Sequence, residues 1–134
     1  MAISNLQETL LMYTRYKSRM NKQLAAIQMN TLSATKKVTD TQLKYNRQIQ
    51  ALDEKFEPDE MREDYTEYIA IKAQLENEME FEMKNIQSWQ DQLDMDKLSL
   101  EARLAEISAN EKAVQTMLKT NLKTDFTYGG ASQG

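Results

Sequence analysis

Apolar residues recur along this chain in steps of three and four, and that spacing predicts two long helices. In the first half the series runs Ile3, Leu6, Leu10, Tyr13, Met20, Leu24, Ile27, Ala34, Val38, Tyr45 and Leu52, interrupted by Lys17, Thr31 and Thr41. A mean step of about 3.5 marks a seam between supercoiled helices rather than a broad globular face. Ser4 and Asn5, with Gln7 and Glu8 three residues on, are candidate N-caps for the first helix. Thr31, Ser33, Thr35, Thr39 and Thr41 make its middle a weak helix former. After Val38 the series shifts to Ile49 and Phe56, so a stutter or local looseness is expected over residues 31–42.

The second half is more regular. One heptad position reads Tyr65, Lys72, Met79, Ile86, Leu93, Leu100, Ile107 and Val114. Its companion reads Met61, Tyr68, Leu75, Glu82 and Trp89, then shifts by one to Lys97, Leu104, Glu111 and Leu118. Lys119 and Lys123 suit the negative end of the helix dipole, and Phe126 to Gly130 is the expected stop.

Between the halves stands Pro58, the chain's single proline. Lacking an N–H, it is costly inside a helix but tolerated at a helix start. The predicted fold is therefore all-α: two long helices forming an antiparallel coiled-coil hairpin, with the bend near residues 53–58. One unit covers 1–128, with arm one at about 4–55 and arm two at about 58–126, and 129–134 form a flexible Gly/Ser tail.

Charge supports the pairing. Residues 1–52 hold eight basic and two acidic side chains, a net of +6, whereas residues 53–96 hold four and fifteen, a net of −11. A bend near 56–57 sets position i opposite about 113 − i, so Lys17, Arg19 and Lys22 are expected to face Asp96, Asp94 and Asp91. The same arithmetic ends the first arm near residue 110. Val114, Met117, Leu118, Leu122, Phe126 and Tyr128 are then an apolar overhang without a partner in their own hairpin, a candidate protein-interaction element.

Composition narrows the chemistry. There is no cysteine and no histidine, which removes disulfides, thiolate and imidazole catalysis and the commonest zinc sites. Three glycines and one proline in 134 residues allow few turns, and periodicity with a net charge of only −4 argues against disorder. No apolar run is long enough to span a bilayer, and the start lacks the pattern of a secretory signal, so the expected location is cytoplasmic or exported without a classical signal peptide.

The run Glu76, Glu78, Glu80, Glu82 resembles a metal site only superficially, because alternate residues do not share a helix face. Asp91, Asp94 and Asp96 lack the glycine and spacing of a calcium loop, and a di-iron bundle needs histidine. Arg15, Lys17, Arg19 and Lys22 beside Tyr13 and Tyr16 suggest a nucleic-acid patch, but the acidic second helix and a pI near 5.0 favour pairing within the protein. Trp89 sits at a packing position, and the nine methionines suit core filling. With no phosphate loop, nucleophile elbow or metal-ligand pair, neither enzymatic activity nor a cofactor is expected.

Leu11, Met29, Leu32, Ile69, Ile71, Phe81, Met95, Leu98 and Leu122 lie off the seams. A two-helix hairpin buries one stripe per helix, so this surplus implies further packing. In length, hairpin pattern, absence of cysteine and richness in Ser, Thr, Asn and Gln, the chain resembles in outline the small helical-hairpin proteins of type III and flagellar export systems. The expected function is a structural or assembly protein that self-associates into an oligomer or filament. The alternative is an adaptor or chaperone of an export machinery that binds another helical protein through the C-terminal overhang.

Overall fold

The computed structural model of the chain describes residues 2–56, 59 and 63–133, with side chains described as far as residue 125. It is an all-α helical hairpin of two helices packed against each other, α1 from Ile3 to Phe56 and α2 from Tyr65 to Gln133. There is no strand among the described residues. Pro58 and Met61 lie outside the described residues, and Asp59 belongs to neither helix.

Both helices begin elsewhere than expected. In α1 the Leu6 N–H donates to the Ala2 carbonyl at 3.1 Å, so Ser4 and Asn5 lie inside the first turn rather than capping it. In α2 the Tyr68 N–H donates to the Asp64 carbonyl at 3.0 Å, which makes Asp64 the N-cap. Asp is a favoured residue there, and Glu67 follows at the third helical position, the spacing of a capping box and well placed for the helix dipole. The second arm thus opens at Tyr65 rather than near 58. At the other end α2 continues through Gly129 and Gly130 to Gln133. Glycine costs a helix about 1 kcal/mol relative to alanine but does not break it.

Burial follows the predicted stripe. In α1 the stripe of buried or half-buried positions runs Leu6, Leu10, Tyr13, Lys17, Met20, Leu24, Ile27, Thr31, Ala34, Val38, Thr41, Tyr45, Ile49, Leu52 and Phe56, with Ile3, Thr9 and Asp53 half-buried beside it. The three residues that seemed to interrupt the series are members of it. Thr41 is buried, and Lys17 and Thr31 are half-buried. A threonine methyl and a lysine stem can cover apolar surface while their polar tips reach outward or bond. α1 is helical without a break over 31–42. Thr35 Oγ1 donates to the Thr31 carbonyl at 3.0 Å, and Ala34 is fully buried, so packing overrides weak propensity here.

The chain divides into two compact units, residues 28–95 and residues 1–27 with 96–134. Within the first, the closed end of the hairpin is a cluster of Leu52, Phe56 and Tyr68, against which Tyr65, Ile71 and Leu75 pack. The Phe56 and Tyr68 rings lie 6.1 Å apart at 46°, and Tyr68 Oη donates to Asp53 Oδ1 at 2.6 Å. That bond comes first among the causes that raise the Tyr68 pKa, and Tyr68 in turn raises that of Lys72, 3.5 Å away. Within the second unit, Leu6 is fully buried although it lies in the first turn of α1, and Val114 is buried.

Pairing distances give the register in each unit taken alone. Asp53 pairs with Tyr68, Lys44 and Tyr45 with Glu82, and Lys17 with Glu111. The paired numbers add to 121 beside the connection and to 126–128 further out. Outside the closed end, α1 residues therefore meet α2 residues about fourteen positions later than a bend at 56–57 implies, close to four helical turns. The connection, which runs from Phe56 to Tyr65 rather than turning at once, accounts for about eight of these positions.

Candidate functional site

The expected stutter opens at Thr41, inside residues 31–42, and both helices carry one. α1 takes two successive four-residue steps at Thr41, Tyr45 and Ile49, and α2 does so at Glu82, Ile86 and Gln90. Gln90 rather than Trp89 carries the seam there, and Trp89 is 36% exposed. A four-residue insertion locally unwinds a heptad seam. Here the two insertions meet, because Tyr45 Oη donates to Glu82 Oε1 at 2.8 Å.

This pair organises a polar clasp in unit 28–95. Lys44 Nζ lies 3.5 Å from the same Glu82 oxygen and 4.9 Å from the centre of the Tyr45 ring. The bond from Tyr45 holds the Glu82 carboxyl below its ordinary pKa, helped by Lys44 and Lys37 and opposed by burial. The same bond is the main cause that pushes the Tyr45 phenol up to about 12. A carboxylate kept ionised by a phenol kept protonated is a fastening rather than an acid–base couple poised for neutral pH.

Two surface hollows flank Glu82. One, of about 540 Å³, is lined by Tyr45, Ala70, Ala73, Gln74, Asn77, Glu78 and Phe81. The other, of about 500 Å³, is lined by Lys37, Asn85, Ile86 and Trp89. Among the described residues no three acidic side chains converge as metal ligands would, and no described stretch of helix is long and apolar enough to cross a membrane.

The residues predicted to pair the arms are not brought together as expected. Lys17 pairs with Glu111 at 3.3 Å instead of with Asp96. Arg19 lies over the Tyr16 ring at 5.9 Å, Lys22 is exposed, and Asp91 accepts from Gln87 Nε2 at 2.9 Å. Asp94 is exposed, and Asp96 lines a third hollow with Gln23, Ala26, Ile27 and Arg103. Asp91 and Asp94 belong to unit 28–95, whereas Lys17, Arg19 and Lys22 belong to the other. Each unit has a net charge of its own. Residues 1–27 with 96–134 hold nine basic and six acidic residues, a net of +3, and residues 28–95 hold eight and fifteen, a net of −7.

The predicted overhang is changed by the same register. Val114 is buried and Leu118 half-buried in a unit that contains the start of α1, so both serve the hairpin's own seam. Met117 and Leu122 stay 42% and 48% exposed. The side chains of Phe126 and Tyr128 lie outside those described. What the sequence reading missed is the clasp. Its signal was present in the four-residue spacing of Thr41, Tyr45 and Ile49, and of Glu82, Ile86 and Gln90.

The class this architecture defines is the all-α helical hairpin, with a polar clasp at the middle of its closed unit. Comparison with known protein families, with curated proteins and with solved structures finds no match for this chain.

Proposed function

We propose that this chain is a non-enzymatic assembly subunit, a coiled-coil hairpin that self-associates into an oligomer or filament. The observation that carries this reading is the apolar surface left outside the seam. In unit 28–95 alone, Met29, Leu32, Phe81 and Met95 are 70%, 71%, 66% and 63% exposed. A hairpin buries one stripe per helix, and large side chains on the opposite faces are covered only when another molecule supplies the cover. The three-four spacing of the seam supports the coiled-coil description. The clasp supports a structural role, since it ties the two helices together at the point where the seam unwinds. Sedimentation velocity and light scattering on the purified chain across a wide concentration range test the proposal. Growth to a defined oligomer or to long species is expected, and a monomer at every concentration would sink it.

A further inference from the structure

We infer that the Asp91, Asp94 and Met95 face of α2 in one copy of this chain docks on the Arg15, Arg19 and Lys22 face of α1 in a second copy. This rests on the self-association reading and names its two surfaces. On α2, Met95 is 63% exposed, with Asp91 one turn before it and Asp94 beside it, and both carboxylates are exposed. Asp91 accepts from the Gln87 amide at 2.9 Å, and no cation among the described residues pairs with either carboxylate. On α1, Arg15, Arg19 and Lys22 follow one another in steps of four and three, all are exposed, and none has a carboxylate partner among the described residues. Arg19 lies over the Tyr16 ring at 5.9 Å, a contact of its flat face that leaves its N–H edge for an acceptor. Lys17 is excluded, because Glu111 already holds it.

Spacing and sign together select the occupant. Arg19 and Lys22 are three residues apart, as are Asp91 and Asp94, a rise of about 4.5 Å on either helix. Two helices laid antiparallel with Arg19 opposite Asp94 therefore set Lys22 opposite Asp91. This is the alignment the sequence suggests within one chain, and the hairpin's own pairing, with Lys17 on Glu111, leaves it unused. In the same alignment Met95 falls opposite Ser18, a short exposed side chain with Arg15 one turn before it and Lys22 one turn after. The thioether can lie there between the two long stems. Either face against its own copy sets like charge on like, whereas the crossed contact sets a unit of net −7 against one of net +3. Because the two faces differ, the contact is heterologous. Each added copy presents a fresh acidic face and a fresh basic one, which builds a ring or an open filament.

The test uses full-length double variants, R19E/K22E and D91K/D94K, with circular dichroism as the check that both remain helical. Either variant alone should associate at least about tenfold more weakly than wild type, because each sets like charges against like. An equimolar mixture should recover association to within about threefold of wild type, because each variant then meets its complement. The control E76K/E80K makes the same change of net charge at exposed positions elsewhere on α2, and it should stay within about threefold of wild type. If wild type assembles while R19E/K22E or D91K/D94K assembles equally well, the mixture fails to recover, or the control weakens association as much as D91K/D94K, this inference is overturned and self-association stands. A wild type that stays monomeric overturns both. Its retention on phosphatidylserine vesicles through Arg19 and Lys22 would then give the basic face an anionic bilayer as its occupant instead.

Discussion

Lys17 Nζ lies 3.3 Å from Glu111 Oε1, a part-buried ion pair between residues 94 positions apart. It fixes the register of the unit that holds both ends of the hairpin. A partly exposed pair of this kind contributes about 0.5–1 kcal/mol. Lys17→Glu should therefore lower stability by at least that amount in urea denaturation at low salt, since it also sets two carboxylates together. Adding Glu111→Lys should restore the loss, whereas adding Asp96→Lys should not. Restoration by Asp96→Lys alone would return the register to the one a tight bend implies.

The Tyr45–Glu82 clasp makes stability depend on pH at both extremes. Glu82 has its pKa lowered in the folded chain, so its contribution is present above about pH 4.3 and is lost as pH falls through the folded value. Tyr45 is raised to about 12. An unfolded tyrosine releases its proton near pH 10, so the contribution of Tyr45 is full below about 10 and disappears by about 12. Tyr45→Phe should flatten both limbs of a plot of Tm against pH. Some alkaline loss should persist, because Tyr68 is raised by Asp53 in the same way. Unchanged limbs in the variant would separate the clasp from stability.

Leu6 and Leu11 are five residues apart on α1, and their environments are opposite. Leu6 is fully buried and Leu11 is 52% exposed. Leu6→Ala should cost about 2–3 kcal/mol, the transfer term plus a cavity that a thin seam closes only in part. Leu11→Ala should stay within about 0.5 kcal/mol of wild type. Chemical denaturation of the two variants measures this directly. Equal effects would mean that the start of α1 does not pack against the end of α2.

Phe81 separates folding from association. At 66% exposure it contributes little to the hairpin, so Phe81→Ala should leave the unfolding free energy within about 0.5 kcal/mol of wild type. If Phe81 anchors a second copy, the same change should weaken association at least about tenfold in sedimentation equilibrium. A variant that unfolds more easily but associates normally would reassign Phe81 to the hairpin's own packing.

The sequence alone determined the two helices, their seam and the hairpin, because those follow from period and from the scarcity of turn residues. Leu6, Ala34, Tyr45, Leu52, Ile86, Leu93 and Val114 were all legible as seam positions and all are buried. Register was not legible, for a definite reason. A slide of about fourteen residues is two heptads, and it returns every seam residue to the seam. Hydrophobic periodicity is therefore blind to it, and a count of opposite charges is a weak arbiter when each exposed pair contributes so little. Only the tertiary structure, in the connection from Phe56 to Tyr65 and in the side-chain pairs beyond it, decided that Lys17 meets Glu111 and that Val114 is covered. The one local signal that bore on it was Asp64-Tyr65-Thr66-Glu67, whose capping spacing marks the start of α2. With the register moved, the basic start of α1 and the acidic stretch of α2 fall in different units. Lys17 apart, the residues whose opposite charges seemed to close the hairpin, Arg19, Lys22, Asp91, Asp94 and Asp96, are exposed.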